Sequence, residues 1–587
     1  MNYDKLTARL SIAVDAYSEQ GRLGLRRSPR LLNLASISEM PKPARAVVFL
    51  HCDEDADLRH LGELGVEVNQ ESGSVRTAIV PLEALDRLSE DPAVGRIASS
   101  HYLRPLMDVA PGKVRVPQFR QAFPRLTGEG VVFGLVDSGI DPNHPAFAGR
   151  IDRIWDQTLP GTGVPEGGYG AELRGAALTT SRDTVGHGTH VSGIAAGDDP
   201  TFGGIAPRAT LVVVKTDFSD AHIADGVRYI FRVAEDLGLP AVVNLSLGGH
   251  FDAHDGSDSL SQVIDELSGP GRIVCCAAGN EGDDDIHAQL SVAQGRTASA
   301  ACSVPSAAVT AGAFLVNGWY PGGDEYDVAV ASPGGFQTQF QEPLSGQNPV
   351  RRYDLPEGRV TIVTPRGLRD NGDHQFLVLV EVAPAEGGSP LAARPWRLRL
   401  RGRQVAGAGS RVDAWILDET EGLGATFSGR AVHDSVKVGS PGAAASAITV
   451  ASFTTKVQWT DIDGDAVHVG LELDDISDFS SEGPRRDGAE KPDMAAPGAM
   501  IASCLSADAS IQRRSVIDAR HVVMAGTSMA TPFTSGLVAL LLQADKGLTP
   551  DGVRQRLRDH SQIPGQAAGT FDPKWGFGLI DAASLQP

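Results

Sequence analysis

The chain has little cysteine: five residues in 587, Cys52, Cys275, Cys276, Cys302 and Cys504, odd in number and widely scattered. Such a set excludes a disulfide framework. The start, Met1-Asn2-Tyr3-Asp4-Lys5-Leu6, lacks a charged residue followed by an apolar run, so no secretory signal is read there. No uninterrupted apolar stretch approaches the roughly 18 residues of a membrane span. Basic charge is also scarce, with 52 Lys and Arg against 73 Asp and Glu and a net charge of −21. That balance excludes nucleic acid or an anionic membrane as the main partner. Together the absences predict a cytoplasmic setting. What is present is a large, Gly-rich globular composition, 41% hydrophobic, long enough for roughly two to four domains.

Residues 1–43 read as a short helix near 3–18 followed by a solvated basic linker (Arg22, Arg26, Arg27, Arg30). From 44 to 107 the pattern is regular: a strand at 46–50, a helix at 57–64, a hairpin over 66–81, a helix at 82–91 and a strand at 94–99. That order describes a small split βαβ domain. Continuous apolar runs then recur at 131–136, 211–214, 241–245 and 273–277, separated by helical stretches at 187–196 and 223–237. Runs of this kind fit strands buried on both faces of a parallel sheet, so the fold class is α/β with a doubly wound sheet. The alternation fails over 286–436, where short alternating segments and turn signals predict an inserted β-sandwich. It resumes over 437–587, which ends with helical periodicity over 527–542. The predicted organisation is therefore 1–43, 44–107, a core domain in two parts at 108–285 and 437–587, and the insertion at 286–436.

Four fragments carry chemistry. Asp137-Ser138-Gly139 puts a carboxylate at the carboxyl edge of a buried strand, where open α/β folds place their sites. Gly186-His187-Gly188-Thr189-His190 turns sharply into a helix and presents His187 at its first turn. His187 and His190 have metal-ligand spacing, but no third His or Cys cluster accompanies them. In Gly526-Thr527-Ser528-Met529-Ala530-Thr531-Pro532 a serine begins a helix, with Pro532 expected inside the first turn. A serine hydroxyl becomes a nucleophile when an imidazole takes its proton, and the imidazole needs a carboxylate to fix its tautomer. An isolated serine here would be a plain N-cap. The fourth fragment, Ala277-Ala278-Gly279-Asn280-Glu281-Gly282, supplies an amide able to donate to an oxyanion.

VDSGIDPNHP, GHGTHVSG, NLSLGG, AAGNEG and GTSMATP, in this order, resemble the subtilase family of serine peptidases. The resemblance implies Asp137, His187 and Ser528 as a catalytic triad and Asn280 as oxyanion donor. It implies Ser246-Leu247-Gly248 as the strand that pairs with an extended substrate, Ala277-Ala278-Gly279 as the opposite wall of the specificity pocket, and Gly439 within VGSPG at its floor. A glycine floor implies a deep, uncharged pocket for a large apolar side chain. An alternative alignment places 309–314 in the pocket strand. The insertion resembles the jelly roll of a clostridial, germination-type subset of the family.

The 44–107 segment is similar to subtilase propeptides, which act as intramolecular inhibitors. Cleavage would then fall between Tyr102 and Gln118. Expected partners are thus protein or peptide substrates bound as an extended strand, and the chain's own N-terminal domain. No cofactor is implied. His144-Pro145 is followed by Ala146 where the family often has a calcium-binding carboxylate, and the loop at Asp198-Asp199 is short, which leaves structural calcium a minor alternative. Asp461, Asp463, Asp465 and Glu472 imitate part of an EF-hand loop, but Ala466 stands where that loop needs glycine, and a β-turn is expected. Two other readings stay open: a non-hydrolytic regulatory pseudopeptidase on the same fold, and a transpeptidase in which an amine replaces water.

Overall fold

The structure is a computed structural model that describes residues 1–20, 45–99, 104–105, 113–180, 182–305, 312–367, 371–383, 394–407, 409–417 and 424–586. The basic stretch Arg22–Arg30 and most of the expected cleavage region lie outside the described residues. The chain divides into two compact units, one of Met1–Ser100 with Asp284–Asp434, the other of His101–Asp283 with Ser435–Pro587. Among the described residues no helix is long and apolar enough to cross a membrane.

In the first unit, Arg45–His51 is the centre of a four-stranded antiparallel sheet with Val75–Pro81, Glu67–Val68 and Arg96–Ser99. The expected helix at 57–64 is instead a 3₁₀ turn, Arg59–Leu64, closed by Gly65 at φ 74°. Gly62 within this short stretch lowers its α-helical propensity. The 284–434 part holds a six-stranded and a four-stranded antiparallel sheet that share one core of Phe314, Tyr326, Phe376, Trp396 and Phe427. Trp396–Gln404 shows how the sequence does this: Trp396, Leu398 and Leu400 turn inward while Arg397 and Arg401 face water. The helix Ala8–Gln20 packs on strands of the six-stranded sheet and on Arg96–Ser99, and its Asp15 pairs with Arg352 at 2.6 Å.

The second unit is built on a ten-stranded sheet. Its order is Ser561–Gln562, Leu579–Ile580, Met494–Ala499, Ile448–Thr454, Arg272–Ala277, Ala241–Leu245, Val132–Asp137, Thr210–Lys215, Ile151–Asp156, Ala171–Arg174. Pairing is parallel except at the two edges. Every residue of Val132–Asp137 is buried, as expected of a strand covered on both faces. From that strand the chain runs first to one side, through Ile151–Asp156 and Thr210–Lys215, and then crosses to Ala241–Leu245 on the other. The order therefore reverses at Val132–Asp137, and a crevice at such a switch point is where ligands bind. Gly134 allows the close helix–sheet approach there: a Cβ on it would meet Ile230 Cγ2 at 2.3 Å. The helix Thr527–Ala544 is buried from Thr527 to Leu542 and packs against the strands Ala241–Leu245, Arg272–Ala277, Ile448–Thr454 and Met494–Ala499.

One buried charge cluster ties the far side of this sheet together. Asp493 receives Lys491 Nζ at 2.8 Å, Arg558 Nη2 at 2.9 Å, Arg554 Nε at 3.1 Å and the Thr449 N–H at 2.8 Å. Burial alone would raise its pKa, but Lys491, Arg554 and Arg558 outweigh that and hold it below the ordinary carboxylate range.

A pKa lowered on folding stabilises the protein above the unfolded-state Asp range, and that stability disappears as pH falls through the folded value. Asp493→Asn should therefore cost about 3–5 kcal/mol at pH 7 and less as the medium is acidified below about pH 4, read by urea unfolding at both pH values. Gly134→Ala should cost about 1–3 kcal/mol by overpacking against Ile230, whereas Gly168→Ala, which meets nothing within 4 Å, should stay within about 1 kcal/mol.

Candidate active site

Asp137 ends its strand fully buried, and its Oδ1 lies 2.7 Å from His187 Nδ1. The same oxygen accepts the Ser138 N–H at 2.7 Å. His187 is the first residue of the helix His187–Ala196, entered through Gly186 at φ 84°. What holds this helix start is a carboxylate that no motif announces. Asp183, also fully buried, accepts the Gly186 N–H (2.8 Å), the Thr189 N–H (2.9 Å), the Thr189 hydroxyl (2.7 Å) and the Ser138 hydroxyl (2.9 Å). Ser138 Oγ in turn accepts the Gly188 N–H at 3.0 Å. The carboxylate so satisfies N–H groups that a helix start leaves open, and it links the His187 helix to the Asp137 strand. Gly188 is required because a Cβ there would stand 2.1 Å from the Gly139 carbonyl.

His190 is held away from the Asp137–His187 contact. Its Nε2 reaches the carbonyls of Ile501 (3.1 Å) and Val522 (3.2 Å), and burial pushes its pKa down to about 3, so it stays neutral. Among the described residues no group of three or more His, Cys, Asp and Glu is arranged to hold a metal. At the position read as a minor calcium alternative, the neighbouring oxygens are engaged within the chain. Ala146 offers only its carbonyl, which accepts the Asp198 N–H, and Asp199 is engaged by the N–H groups of Thr201 and Phe202 and by His521 at 3.3 Å.

Ser528 is the second residue of the helix Thr527–Ala544. The helix that bears His187 packs directly on it. Pro532 corrects the expectation of a first-turn proline: it is the sixth helical residue and lies in the second turn. There its missing N–H leaves the Ser528 carbonyl without an intrahelical donor. Ser246 fills that gap, its hydroxyl donating to Ser528 O at 2.6 Å, while the Ser528 hydroxyl donates to Ser246 O at 3.0 Å. Asn244 donates to Ser246 Oγ at 2.9 Å and accepts from Ser535 at 2.9 Å, so the strand end and the helix are laced together.

Asn280 follows the strand Arg272–Ala277. Its Oδ1 accepts the N–H and the hydroxyl of Thr527 at 2.9 and 3.0 Å. With the carbonyl end committed, the amide NH₂ is the end left to donate. Ala278 N–H donates to Val450 O at 3.1 Å, and Gly279 takes φ 116°. Beyond Ser246, Leu247–Gly248 forms a two-residue antiparallel ladder with Arg104–Pro105, Leu247 opposite Pro105 and Gly248 opposite Arg104. Ser528 and His187 are 0% and 1% exposed, so both side chains are closed to solvent.

The surroundings of Gly439 include a carboxyl group, that of Asp252. A Cβ there would meet Gly249 O at 2.1 Å and Asp252 Oδ1 at 3.2 Å. Burial and the neighbouring Asp258 carboxylate push the Asp252 pKa well above its ordinary value. Asp252 belongs to the segment between Gly248 and the helix Ser259–Leu267, whose turns no motif announces. All the sequence-predicted residues fall in this one unit, around the carboxyl edge of the parallel sheet.

The Subtilase family model matches residues 128–357 and 408–578. Among curated proteins, serine protease AprX of Bacillus subtilis is 36% identical over 135 residues, 22% of this chain and 28% of its own. Thermitase of Thermoactinomyces vulgaris is 32% identical over 181 residues, 30% of this chain and 54% of its own. Subtilisin E of Bacillus subtilis is 29% identical over 234 residues, 38% of this chain and 54% of its own. The chain thus spans about half the length, or less, of these relatives. Among solved structures, the CspB protease of Clostridium perfringens shares the fold at a TM-score of 0.63 and 21% identity, covering 80% of this chain and 97% of that one.

Replacing Asp183 by Ala should cost about 2–4 kcal/mol in urea unfolding, since four donors lose a charged acceptor, whereas Ser138→Ala should cost about 1 kcal/mol.

Proposed function

The chain belongs to the subtilase family, and from that premise we propose that it is a serine endopeptidase acting on extended segments of protein or peptide substrates. Asp137 holds His187 in the tautomer whose Nε2 is the proton acceptor. His187 takes a proton from Ser528 as Ser528 Oγ attacks the scissile carbonyl, and returns it to the leaving amine. Water then enters by the same route, giving up a proton to His187 and releasing the acid from the acyl-enzyme. The Asn280 amide and the Ser528 N–H, at the open end of its helix, hold the oxyanion. The observation that carries this reading is the buried 2.7 Å contact of Asp137 with His187 at the switch point of the sheet. Substrate would pair with Leu247–Gly248 by strand addition, with Ala277-Ala278-Gly279 as the facing wall.

We further infer a self-inhibited zymogen. Arg104–Pro105 already occupies the Leu247–Gly248 edge, and Ser528 and His187 are withdrawn from solvent beside it. The Ser528 hydroxyl donates to Ser246 O in this form. The two-sheet segment 284–434 is the counterpart of the inserted jelly roll in the germination-type subset. The reaction needs no cofactor. Five free cysteines agree with a reducing, cytoplasmic setting.

Purified wild type should lose roughly a hundred residues from its N-terminus, by intact mass, and take up one fluorophosphonate, while Ser528→Ala should do neither. Unprocessed but labelled wild type would remove the zymogen reading alone, and absence of both would remove the peptidase reading. Asn280→Ala should lower the labelling rate about 10²–10³-fold without unfolding the chain.

A further inference from the structure

Behind the oxyanion residue lies a line of ionisable groups, half-buried at Glu281 and buried at His250 and His254, that the steps above leave unused. Glu281 folds back under the turn that carries Asn280. Its Oε2 accepts the Asn280 N–H at 2.7 Å and the Ser481 hydroxyl at 3.1 Å, and Ser481 Oγ accepts the Glu281 N–H at 3.0 Å. The turn is moulded on these two side chains: a Cβ on Gly279 would stand 2.6 Å from Ser481 Oγ and 2.9 Å from Glu281 Oε2. The place of one carboxylate oxygen therefore sets the backbone of Asn280, as Thr527 sets its side-chain carbonyl.

That carboxylate is itself held by histidine. His250 Nε2 lies 3.3 Å from Glu281 Oε2, and His250 Nδ1 lies 2.8 Å from His254 Nε2, with the two rings stacked at 10° and 5.1 Å. A carboxylate only accepts, so His250 presents its Nε2 proton to Glu281. On the far side His254 Nδ1 lies 3.2 Å from the Asp252 carbonyl, which also only accepts, so His254 presents its Nδ1 proton there, and one further proton lies between His250 Nδ1 and His254 Nε2. His254 is anchored from the far side by its own N–H to Asp252 Oδ2 at 2.8 Å. Both rings are buried, His250 at 7% and His254 at 0% exposure. Burial pushes the Glu281 pKa up, yet the His250 contact, the Asn280 N–H and Ser481 together hold it below its ordinary value, so the acceptor stays ionised.

We propose that His250, backed by His254, is a positioning residue for the peptidase reaction, holding the Glu281 carboxylate under Asn280 and so aiming the amide that faces the oxyanion. The proposal rests on the serine endopeptidase reading. A packing role would give a different signature, a loss of stability without a loss in the chemical step. Misplacing a reacting or stabilising group by about 1 Å can cost about 10²-fold in rate, so a loosened turn is visible in kinetics.

The test is fluorophosphonate labelling of the full chain, with the limiting rate separated from the half-saturating concentration and thermal unfolding recorded alongside. His250→Ala should lower the limiting rate about 10–100-fold and change the half-saturating concentration less than about twofold. His250→Gln, which keeps an N–H donor of similar reach, should return the rate to within about threefold of wild type. If the alanine variant does not fold, His250→Asn, one methylene shorter, replaces it with the same expectation. A wild-type limiting rate in His250→Ala, an effect confined to the half-saturating concentration or to thermal unfolding, or a glutamine variant as slow as alanine would each overturn the proposal and leave the peptidase reading intact. Wild type that fails to label would instead remove the peptidase reading, and this proposal with it.

Discussion

The helix Thr527–Ala544 is buried along nearly its whole length, and the site is assembled against it. Its first residue, Thr527, clasps Gly279 and Asn280; its second, Ser528, exchanges two hydrogen bonds with Ser246; Ser535 reaches Asn244; and Gln543 accepts the N–H groups of Thr127 and Gly128. A helix sheathed on all sides cannot slide or roll without opening voids in a close-packed core. Three strand ends are thereby set relative to one hydroxyl. The apolar run that makes the helix is what gives the polar end its precision, and the small residues Ala530, Ser535 and Gly536 let its neighbours come close enough to be fixed. Gly536 alone would carry its Cβ to 2.5 Å from Ile205.

The frame is largely legible in sequence because it rests on continuous apolar runs. Val132–Asp137, Thr210–Lys215, Ala241–Leu245 and Arg272–Ala277 announce themselves as doubly covered strands, and each motif falls at an end of a strand or helix. The residues brought together at the site are readable for the same reason: Asp137, His187, Ser528 and Asn280 sit beside glycines whose backbone demands are visible in the string. What escapes is set by long-range packing. Asp183 and Glu281 look like ordinary loop carboxylates, and only the fold shows that each is the hub of a turn. Asp252 escapes because Gly439 alone says nothing of what fills the space beside it, and the residue that does so lies far earlier in the chain. Pro532 falls one turn deeper than expected because helix starts are among the least legible features of a sequence.

Several polar groups in this site are satisfied locally, an orphan left by one residue being met by a neighbour of matching chemistry. Pro532 removes a donor and Ser246 supplies one. Gly186 and Gly188 open the backbone, and Asp183 gathers the N–H groups so exposed. This pairing explains why hydroxyls and small residues crowd the centre of the site: an unmet buried donor or acceptor costs about 1–3 kcal/mol, a large fraction of total stability.

Each compact unit draws on two distant stretches of chain, 1–100 with 284–434 and 101–283 with 435–587. The order of synthesis then matters. The N-terminal sheet is complete early, but the sheets it is grouped with end 334 residues after it, the difference between 434 and 100. At about 5–20 residues per second that interval is roughly 20–70 s on the ribosome. The hydroxyl at 528 comes later still, after the parallel strands that will surround it. A nascent chain of this layout holds Asp137 and His187 for most of its synthesis without Ser528, and gains that hydroxyl only when most of the surrounding strands are ready to receive it.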